Sequence, residues 1–162
     1  MPRLPDDVAP VFARFVRGPA VVREAVHGVG PATISRPGRE GWSIRDVLVH
    51  LADAELVRAV RFRLILAEDE PELFAFDEGN WKRKLQYLWR SPEASIALFE
   101  SLRFASAELL RECDAKAWDR TGSHPIDGPL SVRELLRRGA NHAEEHAAQV
   151  RELRAELELR AD

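Results

Sequence analysis

Four stretches of this sequence repeat their apolar residues every three or four positions, and each is bounded by glycine, proline or a capping residue. That is the period of an α-helix, and four such stretches in 162 residues leave little chain for any other architecture. The first runs from about Pro5 to His27 and stops at Gly28. The second opens at Ser43, where "SIRD" sets Asp46 three residues after a serine in the manner of a capping box. It continues to about Glu68 through Val47, Leu48, Leu51, Leu56, Val57 and Leu64. The third starts with Ser91 as N-cap and Pro92 at the first helical position, and carries Ile96, Phe99, Leu102 and Leu109 on one stripe. The fourth starts with the pair Ser131 and Glu134 and runs to about Glu158. Between them, residues 28–41, 68–74 and 121–129 have the glycine and proline content of loops. The segment 77–89, "DEGNWKRKLQYLW", predicts a short additional helix, and no stretch alternates long enough to argue for a strand. The expected fold is all-α: a four-helix bundle forming a single domain over residues 1–162.

Charge narrows the partners. The 24 basic residues nearly balance 27 acidic ones, and no basic block appears, which argues against nucleic acid as a ligand. One cysteine, Cys113, rules out a disulfide within the chain and suits a reducing compartment. No apolar run approaches the roughly 18 residues needed to span a bilayer. The opening "MPRLPDDVAP" has prolines and aspartates where a secretion signal needs an apolar stretch. The expectation is a cytoplasmic protein without membrane contact.

The histidines carry the chemical interest. On a helical wheel, Leu135, Gly139, His142, His146, Val150, Leu153 and Leu157 fall on one seam. His142 and His146 therefore face the bundle interior, one turn apart, where each imidazole needs partners for its ring nitrogens. Residues four apart project side by side, so both nitrogens can converge on one metal ion. A pair of hydrogen-bonded core histidines is the ordinary alternative. His50 adds weight to the metal, since it shares a face with Val47, Ala54 and Val57 on the second stretch. Three histidines on two apolar seams match an open zinc-type site, in which water or substrate takes the remaining position.

Other residues are candidates with competing roles. Asp53 is placed to orient His50 by a hydrogen bond or to act as a base; its ordinary role is a solvated carboxylate on the helix flank. "HAEEH" fits the H-x-x-E-H spacing that would make Glu145 a general base. On the wheel, however, Glu145 lies beside the histidine seam and Glu144 nearly opposite, as solvated charges do. His27, just before Gly28, reads as a helix C-terminal cap. His124 belongs to a Gly/Pro loop that could bring it over the site. Cys113 ends the third stretch next to Asp114, the opposite of what an activated thiolate needs.

With these residues in hand, the chain resembles the DinB/YfiT-like superfamily of metalloenzymes, and within it the YfiT-type branch. The resemblance extends from about Trp42 to Arg154, on "WSIRDVLVHLADAE", "EPELFAFDEGNW", "RTGSHPIDGPLSVRELL" and "NHAEEHAAQVRELR". It implies a four-helix bundle with zinc or nickel held by His50, His142 and His146, often in a homodimer. Members of the family include transferases that use bacillithiol, glutathione or mycothiol, and YfiT-type proteins have been labelled metal-dependent hydrolases. Asn141 and Glu145 depart from the family, where many relatives place further histidines or basic residues.

Three functions follow as expectations. The first is a metal-dependent transferase that joins a low-molecular-weight thiol, bacillithiol-like, to an electrophile. Asp77 and Trp81 are then candidate pocket residues, although an N-cap and a core anchor are equally good readings of them. The second is a hydrolase using a metal-activated water, with Asp53 or Glu145 as base. The third is a non-enzymatic metal-binding bundle whose site is closed by a fourth ligand such as His124.

Overall fold

The computed structural model describes residues 3–160. Among the described residues six α-helices are formed: α1 Ala9–Val26, α2 Pro31–Ile34, α3 Ile44–Ala67, α4 Glu78–Lys84, α5 Pro92–Arg111 and α6 Val132–Leu159. The four long ones are α1, α3, α5 and α6, and they make a four-helix bundle. Their starts are set locally. Ser43 and Asp46 form a reciprocal capping box, and Ser91 and Ser131 each accept from the backbone N–H three residues on. At the fourth helix the box is only half made, because Glu134 turns outward to Arg137 and Arg138. No helix among the described residues is long and apolar enough to cross a membrane.

Around the bundle, α1 packs against α5 and α6, and α3 packs against the same two helices. Successive long helices α1 and α3 thus face each other across the bundle, as do α5 and α6. The connections 27–43 and 112–131 have to cross an end of the bundle, whereas 68–91 joins the neighbours α3 and α5. The first contains the one-turn helix α2, which loop composition did not foretell.

The expectation of no strands is corrected. Residues Thr121–His124 (β1) and Gly128–Ser131 (β2) form an antiparallel hairpin, closed by Gly128 at φ +72°. Four-residue strands are too short to display a period, and their stability comes from pairing and packing rather than propensity. The hairpin also grips residues 71–73: Ser123 N donates to Pro71 O, and Leu73 N donates to Ser123 O. The segment leading into α4 is thereby held against the bundle.

Two apolar clusters fill the interior. Phe12, Phe15, Phe62, Ile65, Leu110 and Leu135 anchor one; Val22, Ile44, Leu48, Phe99, Ala147 and Val150 belong to the other. Between them on α3 and α5 lies a polar layer. Glu55 and Arg103 are both fully buried and joined by two hydrogen bonds of 2.9 and 2.7 Å. Arg103 also donates to the carbonyls of Phe15 and Gly139, and Arg58 donates to Glu55 from the other side. Burial alone would raise the Glu55 pKa, but the guanidiniums of Arg103 and Arg58 bring it below the usual carboxylate range. This layer lies just below the histidines of α3 and α6, with Glu55 beyond His50 on α3 and Gly139 before His142 on α6.

Candidate metal centre

The first turns of α3 carry His50, and the middle of α6 carries His142 and His146. The structure brings all three to one point. His142 Nε2 lies 3.1 Å from His50 Nε2 and 3.0 Å from His146 Nε2. The rings stand at steep angles, with centroids 4.4–5.1 Å apart.

Neutral imidazoles do not satisfy this arrangement by themselves. A single Nε2 offers one proton or one lone pair, and His142 Nε2 faces two other ring nitrogens at once. A cation resolves the conflict by taking a lone pair from each. Three nitrogens at 2.0–2.1 Å from a tetrahedral ion lie about 3.3 Å apart, close to the spacing observed. The protonation states agree. Burial, followed by the charge of His146, lowers the His50 pKa to about 4. Burial also lowers His142 and His146. All three rings are uncharged at neutral pH, so protons do not compete for the lone pairs. His146 Nδ1 donates to Gln149 Oε1 at 2.7 Å, which leaves its Nε2 bare and aimed into the cluster. The outer nitrogens of His50 and His142 are buried without a hydrogen-bond partner. The three side chains fit a divalent ion with an open position.

Aromatic rings close one side. Trp42 meets the His50 ring edge-on at 5.8 Å, and Phe76 lies 6.5 Å from it, itself stacked on Trp81 at 4.5 Å. A cleft of about 340 Å³ opens next to His142, with Phe76 in its wall beside Arg58, Arg61, Arg138, Glu78 and Glu145.

The remaining candidates find other roles. Asp53 is buried, and it neither orients His50 nor faces solvent: its Oδ2 accepts from Arg90 Nη1 at 2.7 Å. The ion pair holds the Asp53 carboxylate on Arg90, a partner 37 residues away that local reading does not reach. Asp77 caps α4 by accepting from Asn80 N, and Trp81 backs Phe76 instead of lining the cleft. Glu145 is an exposed residue on the cleft wall, and Glu144 pairs with Arg14 on α1. His124 stays outside the cluster, with Nε2 3.1 Å from Arg61 Nη2, and so supplies no fourth ligand. His27 is the C-terminal cap of α1. Cys113 points its thiol at Leu109 O, and burial, then Asp114, raises its pKa, as expected of an inert cysteine.

One residue near the cluster belongs to the "EPELFAFDEGNW" stretch of the resemblance but is not among the site candidates read from the sequence. Glu78, at the first position of α4, places Oε1 3.9 Å from His50 Nε2. Asp77 caps the helix that carries it, and that helix packs against α3.

The sequence model of the DinB superfamily matches residues 14–150. The chain belongs to the DinB superfamily. Among members, a protein of Oceanobacillus iheyensis is 32% identical over 114 residues, 70% of this chain and 65% of the relative. The match thus spans just under two thirds of that relative's length. YfiT of Bacillus subtilis is 29% identical over 137 residues, 83% of this chain and 77% of the relative. Both carry the provisional name of metal-dependent hydrolases. The solved structure of YfiT superposes with a TM-score of 0.87 at 25% identity, covering 97% of this chain and 93% of YfiT. A mycothiol-dependent maleylpyruvate isomerase shares the DinB-type fold, with a TM-score of 0.74 at 16% identity over 91% of this chain and 61% of the isomerase.

Proposed function

We propose that the chain is a metal-dependent enzyme in which His50, His142 and His146 hold one divalent ion, zinc or nickel, and that it transfers a low-molecular-weight thiol to an electrophile. The observation that carries this reading is the convergence of three Nε2 atoms beside a cleft of about 340 Å³. A divalent ion bound there supplies a Lewis acid that lowers the pKa of a thiol or water at its open position.

The chain's own residues do the rest. Glu78, whose Oε1 lies 3.9 Å from His50 Nε2, is placed to take the proton that the nucleophile sheds. Trp42 shields the edge of the His50 ring, and Phe76 gives the cleft an apolar wall beside it. Gln149 holds the His146 ring in one tautomer. The thiol has to come from a ligand, because Cys113 sits beyond the last turn of α5, outside the cleft lining. The mycothiol dependence of the isomerase with the same fold supports a thiol as co-substrate.

A second reading, hydrolysis by activated water, draws on the names of the relatives and on Glu78 as general base. The reading takes residues 1–162 as one cytoplasmic domain. It also keeps the homodimer, with the exposed Val16 and Phe104 on α1 and α5 as its seam.

The test is a parallel assay of the metal-loaded protein. Monochlorobimane or a chloronitrobenzene is supplied with several thiols, and ester and amide substrates are supplied without thiol. Turnover that requires thiol and disappears in His146→Ala is the expected result. Turnover of esters or amides alone reverses the order of the two readings, and no turnover in either arm removes both.

A further inference from the structure

Four arginines line the cleft beside His142, and they are not equivalent. Arg58 is paired with Glu55, Arg137 is paired with Glu134, and Arg138 is paired with Glu134 and Asp127. Arg61 has no carboxylate within ion-pair distance among the described residues. Its Nη2 meets only neutral groups, the Phe74 carbonyl and the His124 ring, and its Nε is buried with no partner at all. A half-buried guanidinium with no ion-pair partner of its own, and with an unmet buried donor, is costly to the fold. Arg58 and Arg61 are also three apart on α3, so one face of that helix brings two positive groups to the same cleft. Glu55 does not neutralise this face, because its one charge is shared between Arg58 and Arg103.

The geometry points to a carboxylate-binding subsite at Arg61, through which the cleft takes a ligand whose other end reaches the three histidines. The planar fork of the guanidinium matches a carboxylate, and the ligand would supply the direct ion pair that no carboxylate of the described residues makes with Arg61. Burial, and after it the repulsion from Arg58, lowers the Arg61 pKa; the attraction of Asp127, which is itself paired with Arg138, offsets this only in part. Glu78 and Glu145 share the cleft without pairing with Arg61. The inference rests on the cleft being the ligand site of the proposed function, but not on whether the carboxylate belongs to the thiol or to its acceptor.

Calorimetry of the metal-free protein with succinate, and with succinamide as its uncharged analogue, tests the subsite without any contribution from an ion. Succinate is expected to bind, succinamide not, and Arg61→Gln to weaken succinate at least about tenfold. In the wild-type protein, the Arg61 Nε–H resonance in a ¹⁵N spectrum is expected to shift with succinate and not with succinamide, a readout that needs no variant to fold. Equal binding of the two compounds, or an unmoved resonance, overturns the proposal. A second arm uses the cobalt-loaded protein and the thiolate charge-transfer band with mercaptosuccinate or 1-thioglycerol. A preference for mercaptosuccinate that Arg61→Gln abolishes assigns the carboxylate to the thiol. Equal bands, with succinate binding still dependent on Arg61, assign it to the acceptor. No band with either thiol, again with Arg61-dependent succinate binding, leaves the subsite standing and removes the thiol reading.

Discussion

Replacing Arg103 with methionine isolates the polar layer from the histidines above it. Arg103 makes four hydrogen bonds, two to Glu55 and one each to the carbonyls of Phe15 and Gly139, and all four are lost together. Methionine fills much of the space between the rings of Phe15 and Phe99, so little of the cost is cavity. What remains is a buried Glu55 carboxylate with only Arg58 as partner, and two carbonyls without donors. Removing one member of a buried pair costs about 3–5 kcal/mol. For a chain of this length that lowers Tm by about 10 °C. Urea denaturation of the metal-free protein at pH 7 measures it, and the double variant Glu55→Gln/Arg103→Met should recover part of the loss because no lone charge is left buried. A loss below about 1 kcal/mol, or a double variant as damaged as the sum of the singles, would refute the claim that this pair is held against a large desolvation cost.

Three further outcomes follow from the site. In the metal-free protein His50 titrates at about 4 when folded and near 6.5 when unfolded, so the unfolded chain takes the proton first as the pH falls. Stability is then complete above about pH 6.5 and declines toward pH 4, by as much as about 3 kcal/mol, and equal urea midpoints at pH 7.5 and 5 would contradict this. Gln149→Leu removes the acceptor of His146 Nδ1 and should weaken metal binding about 10–100-fold in a chelator competition, with the fold intact by circular dichroism. Glu78→Gln should leave metal stoichiometry unchanged while lowering kcat about 10²-fold or more and flattening the acidic limb of the pH–rate profile.

The parts of this structure that the sequence discloses are those decided within a few residues. Ser43, Ser91 and Ser131 mark helix starts because a cap needs only its own next turn. His142 and His146 fall on the buried seam because their spacing matches the helical period. His50 is different, since its meeting with them depends on α3 packing against α6 and was reached through residue type and family resemblance. Asp53 and Glu78 show where local reasoning stops. Each is defined by a partner distant in sequence, Arg90 for the first and His50 for the second. The hairpin itself was invisible, because two strands of four residues carry no period and are stabilised by what they pack against. The crossing of the bundle by both long connections is likewise a tertiary outcome, compatible with either order of helices as far as composition goes.

The most direct test is a zinc titration of the wild-type protein and of His50→Ala, His142→Ala and His146→Ala, read by competition with a chromophoric chelator. One ion per chain in the wild type, with each substitution weakening it by at least about 100-fold, is the predicted result. Failure of the wild type to take up zinc or nickel stoichiometrically, or uptake that persists unchanged in all three variants, would contradict the account.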